Sequence, residues 1–207
     1  LNPMKHFQAL LIGLLSLFAE SAIAQTQFQK SAGSTSQDLS YQIAALQDGS
    51  LVATGYTNAV SGNLSDSYLI RYNRFGEVVW AFTYGDVGED RSWDIFVNSN
   101  DVIFGVGTST SLGTPFSAAT ISSSTNTGTI TWLTGAYSTT GALDFYRVTQ
   151  TSTGHLLATG LTGSIATQDD ILLSKFTPQG NLVWSRIIGS SEADEAMAVM
   201  ETAQGHY

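Results

Sequence analysis

The stretch DSYLIRYNRFGEVVWAFTYG, residues 66–85, contains a short apolar run, a turn closed by a glycine, and a second run centred on a tryptophan. The same glycine and tryptophan return 52 positions later, and again after a further 52. The residues that mark this period are Gly76, Trp80, Gly128, Trp132, Gly180 and Trp184. A fixed period of this length indicates an array of stacked copies of one small unit. The chain is therefore predicted to be a repeat protein.

Other residues follow the same step. Asp38, Asp90 and Asp194 occupy equivalent positions near the start of successive units. The predicted units are approximately 34–85, 86–137 and 138–189, followed by a partial unit, 190–207. Phe28 takes the tryptophan place one period before Trp80, so residues 28–33 are predicted to be the orphan last strand of a unit whose beginning is absent.

Each unit contains four runs of five to eight residues bounded by Gly, Asn, Asp or Ser, which predicts a four-stranded antiparallel meander. In the first unit the strands are expected near 40–46, 50–57, 67–72 and 78–84. The runs do not alternate cleanly between apolar and polar residues, so both faces of each sheet are expected to be covered. Glycine recurs in the second run, as at Gly55, and predicts close approach of a neighbouring sheet.

These features predict an all-β fold, a β-propeller fragment of four-stranded antiparallel blades with about three complete units in an open arc. The second unit diverges most, because SAATISSS at 117–124 replaces the charged ends of the third run. The third unit slips by one residue before recovering at Asp170. Residues 194–201 are predicted to form a strand despite their helix-prone composition, because they align with the first strands of earlier units.

The first 24 residues read as upstream residues and a secretory signal peptide. Lys5 and His6 precede an apolar run from Ala9 to Ala19, and a small-x-small site ends at Ala24. Cleavage is expected after Ala24, which predicts a secreted or cell-surface protein. The apolar run is short for a bilayer, so the mature chain, residues 25–207, is expected to have no transmembrane segment.

Composition narrows the function classes. The chain is 43% hydrophobic and only 12% charged, which suits a globular protein rich in strands. Its net charge of −9 and its scattered Lys and Arg residues argue against nucleic acid binding. It has no Cys, which excludes disulfides, thiolate metal sites and a cysteine nucleophile.

The pattern of Gly, Asp, an apolar strand, Asp-Gly, VATGYT, DSYLIRYN, Gly and VVW resembles the repeats of secreted bacterial and archaeal propeller proteins, the seven-bladed propeller repeat or delta-60-like repeat family. The resemblance covers nearly all of residues 28–207. It implies one blade per unit, about seven blades in the ring, and a secreted or surface-attached protein. It implies no agreed activity. A weaker likeness, to quinoprotein repeats, rests on Asn126-Thr127-Gly128 and Trp132.

Several residues could carry chemistry. The repeated tryptophans could stack on sugars, but one Trp per unit at one position is more typical of packing between blades. The repeated aspartates could ligate Ca²⁺, but Asp beside Ser, Thr and Gly more often accepts hydrogen bonds from turn N–H groups. No cofactor is therefore predicted, with Ca²⁺ as the one weak candidate. Asp169 and Asp170 form a carboxylate pair, but adjacent strand residues face opposite sides.

Three further residues are weak ligand candidates. His155 and His206 occupy equivalent positions after a turn glycine and could share a metal, although no third ligand repeats with them. Arg147 aligns with Ile43 and Ile95, so it either points into a central channel or reflects a local slip that turns Val148 inward.

The predicted function is a non-catalytic extracellular or surface-associated binding module for an unknown protein or carbohydrate. The alternative is a propeller enzyme (a hydrolase, a lyase or a quinoprotein) with its site at the channel mouth of the complete ring. The chain is expected to continue beyond Tyr207, with its two ends sharing one blade, and the fragment alone is expected to be unstable or to self-associate.

Overall fold

The computed structural model describes residues 32–59, 64–112, 117–138, 141–163 and 168–207, and these residues form β-strands and no helix. They therefore include no helix with the length and apolar character that a membrane span requires. The predicted leader, residues 1–24, and most of the predicted orphan strand at 28–33 lie outside the described ranges.

The strands lie close to the positions that the periodicity predicts. In chain order they are β1 (Asp38–Ala45), β2 (Leu51–Thr57), β3 (Asp66–Tyr72), β4 (Val78–Tyr84), β5 (Asp90–Val97), β6 (Ile103–Ser109), β7 (Ala118–Ser124), β8 (Ile130–Ala136), β9 (Leu143–Gln150), β10 (Leu156–Thr162), β11 (Asp170–Phe176) and β12 (Leu182–Ile188). The divergent run of the second unit also forms its third strand.

The strands make three antiparallel sheets, each with its four strands in chain order. We call β1–β4 blade 1, β5–β8 blade 2 and β9–β12 blade 3. The first strand of each later blade packs across the preceding sheet: β5 contacts β1, β2 and β3, and β9 contacts β5, β6 and β7. The described blades do not close into a ring. The all-β prediction of propeller blades in an open arc is therefore confirmed.

Burial explains why the sequence runs do not alternate. The second strands β2, β6 and β10 carry four to six consecutive buried residues. Blade 2 has a sheet packed against each of its faces, and blades 1 and 3 have a described sheet against one face. The fourth strands β4 and β12 are mostly exposed. Apolar side chains fill the space between blades 2 and 3, with Phe104 and Ile121 packed among Leu156, Leu172 and Phe176. This interface is a continuous hydrophobic core.

The turn glycines that mark the period have a conformational role. Gly76, Gly128 and Gly180 close the turn between the third and fourth strands with φ of 76°, 85° and 83°. This left-handed region penalises residues with a Cβ atom. The repeated glycine therefore reflects the backbone of one tight turn, copied in each blade.

The mid-strand glycines have a different cause from the one predicted. A Cβ atom on Gly55 would lie 1.8 Å from the Leu39 carbonyl oxygen, and on Gly107 2.1 Å from that of Arg91. These oxygens belong to the adjacent strand of the same sheet, not to a neighbouring sheet. The register shifts beside each contact, between Ser40 and Gln42 in blade 1. A β-bulge in every first strand therefore requires the glycine.

The bulges also resolve the slip in the third unit. The bulged residues are Tyr41, Trp93 and Tyr146, because the register steps across each of them. Val148 pairs with Ala158 as Ile95 pairs with Gly105, and Val148 is buried. The slip that turns Val148 inward is therefore confirmed, and the alignment of Arg147 with the isoleucines is wrong.

The predicted strand at 194–201 is not formed, because this segment has no regular secondary structure. Its anchor points nevertheless match those of an inner strand. The Asp194 N–H donates to the Asp169 carbonyl at 2.6 Å, as Asp90 donates to Ser65. The turn that follows, closed by Thr202 and His206, has the usual backbone bond of 2.7 Å. The segment lacks a ladder because no second strand is paired with it within the described residues.

Candidate functional site

The repeated tryptophans lie between blades rather than on a ligand surface. The Trp80 indole N–H donates to the Asn126 carbonyl at 3.2 Å, and Trp132 donates in the same way to Pro178. Each ring also packs on the turn glycine of the next blade, Gly128 or Gly180. The ring of Trp184 in blade 3 lies 6.0 Å from that of Tyr207. The prediction of packing between blades is confirmed for Trp80 and Trp132.

The repeated aspartates accept hydrogen bonds from the turn that enters each unit. The carboxylate of Asp38 accepts the Ser34 N–H at 2.6 Å, and the carboxylate of Asp194 accepts that of Ser190 at 2.7 Å. Asp90 accepts the Asp86 N–H at 3.1 Å. These bonds hold the pKa of Asp38 below its usual value, chiefly through Thr57 and Ser34. The aspartates therefore act as turn caps.

The weak metal candidates do not assemble into a site in the part of the chain that the structure describes. No group of three or more His, Cys, Asp or Glu residues is arranged there to hold a metal ion. His155 lies in a turn, with its Nδ1 atom 3.2 Å from the Thr153 hydroxyl. The carboxylates of Asp169 and Asp170 have different neighbours, Gly163 and Gly189, as expected for adjacent strand residues.

The three bulged residues of the first strands, together with Tyr56 of β2, form a continuous line of aromatic rings across the three blades. Ring centroids are 6.0 Å apart for Tyr56 and Tyr41, 4.7 Å for Tyr41 and Trp93, and 5.9 Å for Trp93 and Tyr146. We call these four residues the aromatic row. Tyr41 is 42% exposed. A bulge re-aims a side chain, and here the same bulge aims one aromatic ring per blade to the same side.

A polar cleft adjoins the aromatic row at Trp93, between blades 2 and 3. We call it the inner cleft. Its lining residues are Glu89, Arg91, Trp93, Thr108, Thr110, Ser117 and Asp144. The Trp93 indole N–H donates to the Thr108 hydroxyl at 2.8 Å, and that hydroxyl donates to the Asp144 carboxylate at 2.6 Å. This chain fixes the orientation of both the ring and the carboxylate.

Arg91 supplies the cation of the inner cleft. Its guanidinium lies 5.0 Å from the centre of the Tyr56 ring and 3.1 Å from the Glu89 carboxylate. Its Nε atom is buried and has no hydrogen-bond partner within the described ranges. A buried donor without a partner is uncommon, and it leaves Arg91 able to donate to a ligand in the cleft.

Burial controls the protonation of the acidic groups here. It raises the pKa of Asp144, against the opposing effect of hydrogen bonds from Thr108 and Ser117. It also raises the pKa of Tyr146 to about 12, with a further contribution from the charge of Asp144. The Tyr146 phenol therefore stays protonated at neutral pH. The cleft offers hydroxyl donors beside carboxylate acceptors.

A second buried carboxylate links the three inner strands. Asp94 accepts the Gln42 amide at 2.9 Å on one side and the Val148 backbone N–H at 2.9 Å on the other. Burial raises the pKa of Asp94, and the nearby charge of Arg147 opposes that rise. The Nη1 atom of Arg147 donates to the Tyr146 carbonyl at 2.8 Å, so this candidate ligand residue has a partner within the protein.

Sequence reasoning missed the aromatic row and the inner cleft. A constant step of 52 residues places Phe145 at the position of Tyr41 and Trp93. Phe145 is fully buried, and the bulged residue of the third unit is its neighbour, Tyr146. When the alignment of the third unit is shifted by its one-residue slip, every complete unit has an aromatic residue at the same position. Arg91 and Asp144 carried no such sign, because they differ from their counterparts in other units.

No protein-family model and no curated protein sequence matches this chain. The resemblance to propeller repeat proteins therefore stays a prediction.

Proposed function

We propose that the protein is a secreted or surface-attached binding module that holds a carbohydrate at the aromatic row and the inner cleft. The observation that carries the proposal is the line of four aromatic rings across three blades, joined at Trp93 to a cleft of hydroxyl, carboxylate and guanidinium groups. Aromatic rings pack against the apolar faces of sugars, and the polar groups suit sugar hydroxyls.

The balance of charge favours a neutral ligand. Glu89 pairs with Arg91, and the Arg91 guanidinium already lies over the Tyr56 ring. A cationic ligand would compete with that guanidinium for the ring, and an anionic ligand would meet Glu89 and Asp144. A saccharide donates and accepts hydrogen bonds without carrying charge.

The buried acids support binding rather than catalysis. Both carboxylate oxygens of Asp94 accept hydrogen bonds, and Asp144 accepts one from Thr108. Groups held in this way orient neighbouring side chains. An enzyme of the propeller type remains the alternative function, and product analysis separates it from a binding module.

The test is titration of neutral oligosaccharides into the protein by calorimetry. We expect saturable binding that Tyr41→Ala weakens at least about tenfold, since ~1.5 kcal/mol of aromatic contact corresponds to a factor of ten. Trp93→Ala is the stronger variant, and unchanged melting shows that it folds. Trp184→Ala is the matched control, because Trp184 lies in β12, away from the inner strands.

Two outcomes would contradict the proposal. A full set of neutral oligosaccharides without any saturable binding would remove the carbohydrate assignment. Chromatography that reveals a cleaved sugar after long incubation would favour the enzyme alternative. The proposed secretion is tested separately, by N-terminal sequencing of the exported protein, which should begin at Gln25.

A further inference from the structure

A second cavity lies between blades 1 and 2, on the side of the outer strands. Its volume is about 310 Å³. Leu69 and Tyr84 line it from blade 1, and Thr120, Ser122 and Leu133 line it from blade 2. It shares Arg91 and Thr108 with the inner cleft at one end of the blades, but extends away from the aromatic row. We call it the inter-blade cavity.

The cavity arises because one strand departs from the repeat. In blade 3 the third strand presents Leu172, Ser174 and Phe176 to the preceding blade, and Leu172 and Phe176 are buried in the core there. The equivalent residues of β7 are Thr120, Ser122 and Ser124. The register confirms the match, because Thr120 pairs with Gly107 as Leu172 pairs with Gly160. Ser122 matches Ser174, but Thr120 and Ser124 are smaller than Leu172 and Phe176, and these two smaller side chains leave the gap.

The gap is large enough to hold a molecule. Protein interiors are close-packed, and voids larger than a water molecule are few. The volume of about 310 Å³ compares with about 30 Å³ for one water in the liquid. Atoms that line a void have no dispersion partner on that side, and an occupant supplies one. Apolar cavities in proteins bind small aromatic molecules for this reason.

The walls define the chemistry of the occupant. Leu69, Ile103 and Leu133 supply apolar surface, and Tyr84 supplies an aromatic ring. The hydroxyls of Thr120 and Ser122 also face the space, and the Ser122 hydroxyl makes only a long bond of 3.4 Å, to the Gly105 carbonyl, within the described chain.

Asp90 and Arg91 are adjacent in β5 and bring charge to the same end of the cavity, where both are already engaged. Arg91 pairs with Glu89 at 3.1 Å. The carboxylate of Asp90 accepts hydrogen bonds from the Ser111 hydroxyl at 2.5 Å and from the Asp86 N–H. It therefore offers little attraction for a charged ligand.

We propose that the inter-blade cavity is a binding site for a small, uncharged, mainly apolar ring compound that carries a hydroxyl group, such as a phenol. The ring fills the space that Leu172 and Phe176 fill in the next interface. The hydroxyl group bonds to Thr120 or Ser122. This site shares Arg91 and Thr108 with the inner cleft, and its other lining residues lie outside the proposed carbohydrate site.

The experiment titrates p-cresol into the protein and follows the bound ligand by NMR. We expect saturable binding that Ser122→Ile weakens at least tenfold, because isoleucine, the residue at the equivalent position 70, occupies the space. The same variant should raise the melting temperature. Ser122→Ala is the matched control, since it keeps the space open, and it should retain binding within about threefold, the effect of a net hydrogen bond of less than 1 kcal/mol. Thr120→Leu, which introduces the blade 3 residue, is a second filling variant.

Trp93→Ala separates the two sites, because Trp93 belongs to the aromatic row and does not itself line the cavity. Binding of p-cresol that survives Trp93→Ala and disappears with Ser122→Ile or Thr120→Leu supports the proposal. The proposal is overturned by the absence of saturable binding, by binding that both filling variants leave unchanged, or by binding that only Trp93→Ala removes.

Discussion

Replacing Gly107 by alanine tests the bulge on which the aromatic row depends. The new Cβ atom would lie 2.1 Å from the Arg91 carbonyl oxygen and 3.1 Å from the Ser92 Cα atom. Backbone atoms in a ladder cannot move aside as a flexible side chain can, so β5 and β6 must separate locally. Overpacking costs about 1–3 kcal/mol, and each lost ladder bond adds about 1 kcal/mol. With one ladder bond lost, we therefore expect the free energy of unfolding to fall by about 2–4 kcal/mol.

The matched control is Gly105→Ala, two positions earlier in the same strand. Its closest neighbour would be the Ser122 hydroxyl at 3.1 Å, which can rotate, and its next neighbour, Ile95, is at an ordinary contact distance of 3.8 Å. Blades 1 and 3 carry Ala53 and Ala158 at this place. Gly→Ala at a compatible site adds about 0.4–1 kcal/mol by restricting the unfolded chain. Gly105→Ala should therefore be neutral or stabilising.

The assay is urea unfolding followed by tryptophan fluorescence, with the slope against denaturant compared among wild type and both variants. Gly107→Ala should also weaken saccharide binding, because Arg91 and Trp93 lie beside the displaced backbone. A difference in unfolding free energy of less than about 1 kcal/mol between the two variants, half the smallest cost expected for Gly107→Ala, would contradict this role of the glycine.

Three further predictions follow from individual side chains. Burial raises the pKa of Asp94 above its unfolded value. The contribution of Asp94 to stability is therefore complete below about pH 4 and is lost as pH rises through the folded pKa. In urea unfolding, the wild type should lose stability relative to Asp94→Asn between about pH 4 and 7. Trp132→Phe removes the indole hydrogen bond to the next blade, and it should lower the free energy of thermal unfolding by about 1–2 kcal/mol. Trp184→Phe should lower it by less than about 0.5 kcal/mol. Equal losses would contradict the packing role of Trp132. Thr108→Val removes the hydrogen bond from the Thr108 hydroxyl, which lowers the pKa of Asp144. NMR titration of the Asp144 carboxyl should therefore give a higher pKa in the variant. An unchanged pKa would count against this hydrogen bond.

The repeat predicted the fold because one physical requirement recurs in each unit. A sheet covered on both faces produces unbroken apolar runs, and a left-handed turn produces the repeated glycine, so the second strands and Gly76 were readable directly. The tryptophan role was readable for the same reason. Each of these features depends on local geometry that the period copies.

The errors share a cause as well. A β-bulge has no fixed sequence signature, so the sequence suggests a neighbouring sheet as the reason for Gly55. The equivalent bulge in blade 3 hides the correspondence of Tyr146 with Tyr41 and Trp93. Residues 194–201 resemble an inner strand, yet a strand exists only when a partner satisfies its backbone. Pairing and bulges are properties of two segments together, and one segment's residues do not reveal them.

The two proposed sites lie where the units differ, which gives the repeat and its departures separate roles. Leu39, Arg91 and Asp144 occupy equivalent positions in the three blades. Each lies two residues before the bulged aromatic residue, and each pairs with a residue near the end of the second strand. A leucine in one blade, a cation in the next and a carboxylate in the third give the inner cleft an asymmetry that identical blades could not provide.

The inter-blade cavity also lies where the units differ, because Thr120 and Ser124 of β7 stand where β11 has Leu172 and Phe176. Residues that every unit shares hold the backbone, the turns and the blade interfaces. Truncating their buried side chains leaves a void and lowers the free energy of unfolding. Arg91, Asp144 and Thr120 differ from their counterparts and line the cleft or the cavity, so their substitution should alter binding more than folding. We therefore propose that ligand specificity in this chain resides in the deviations from its own repeat.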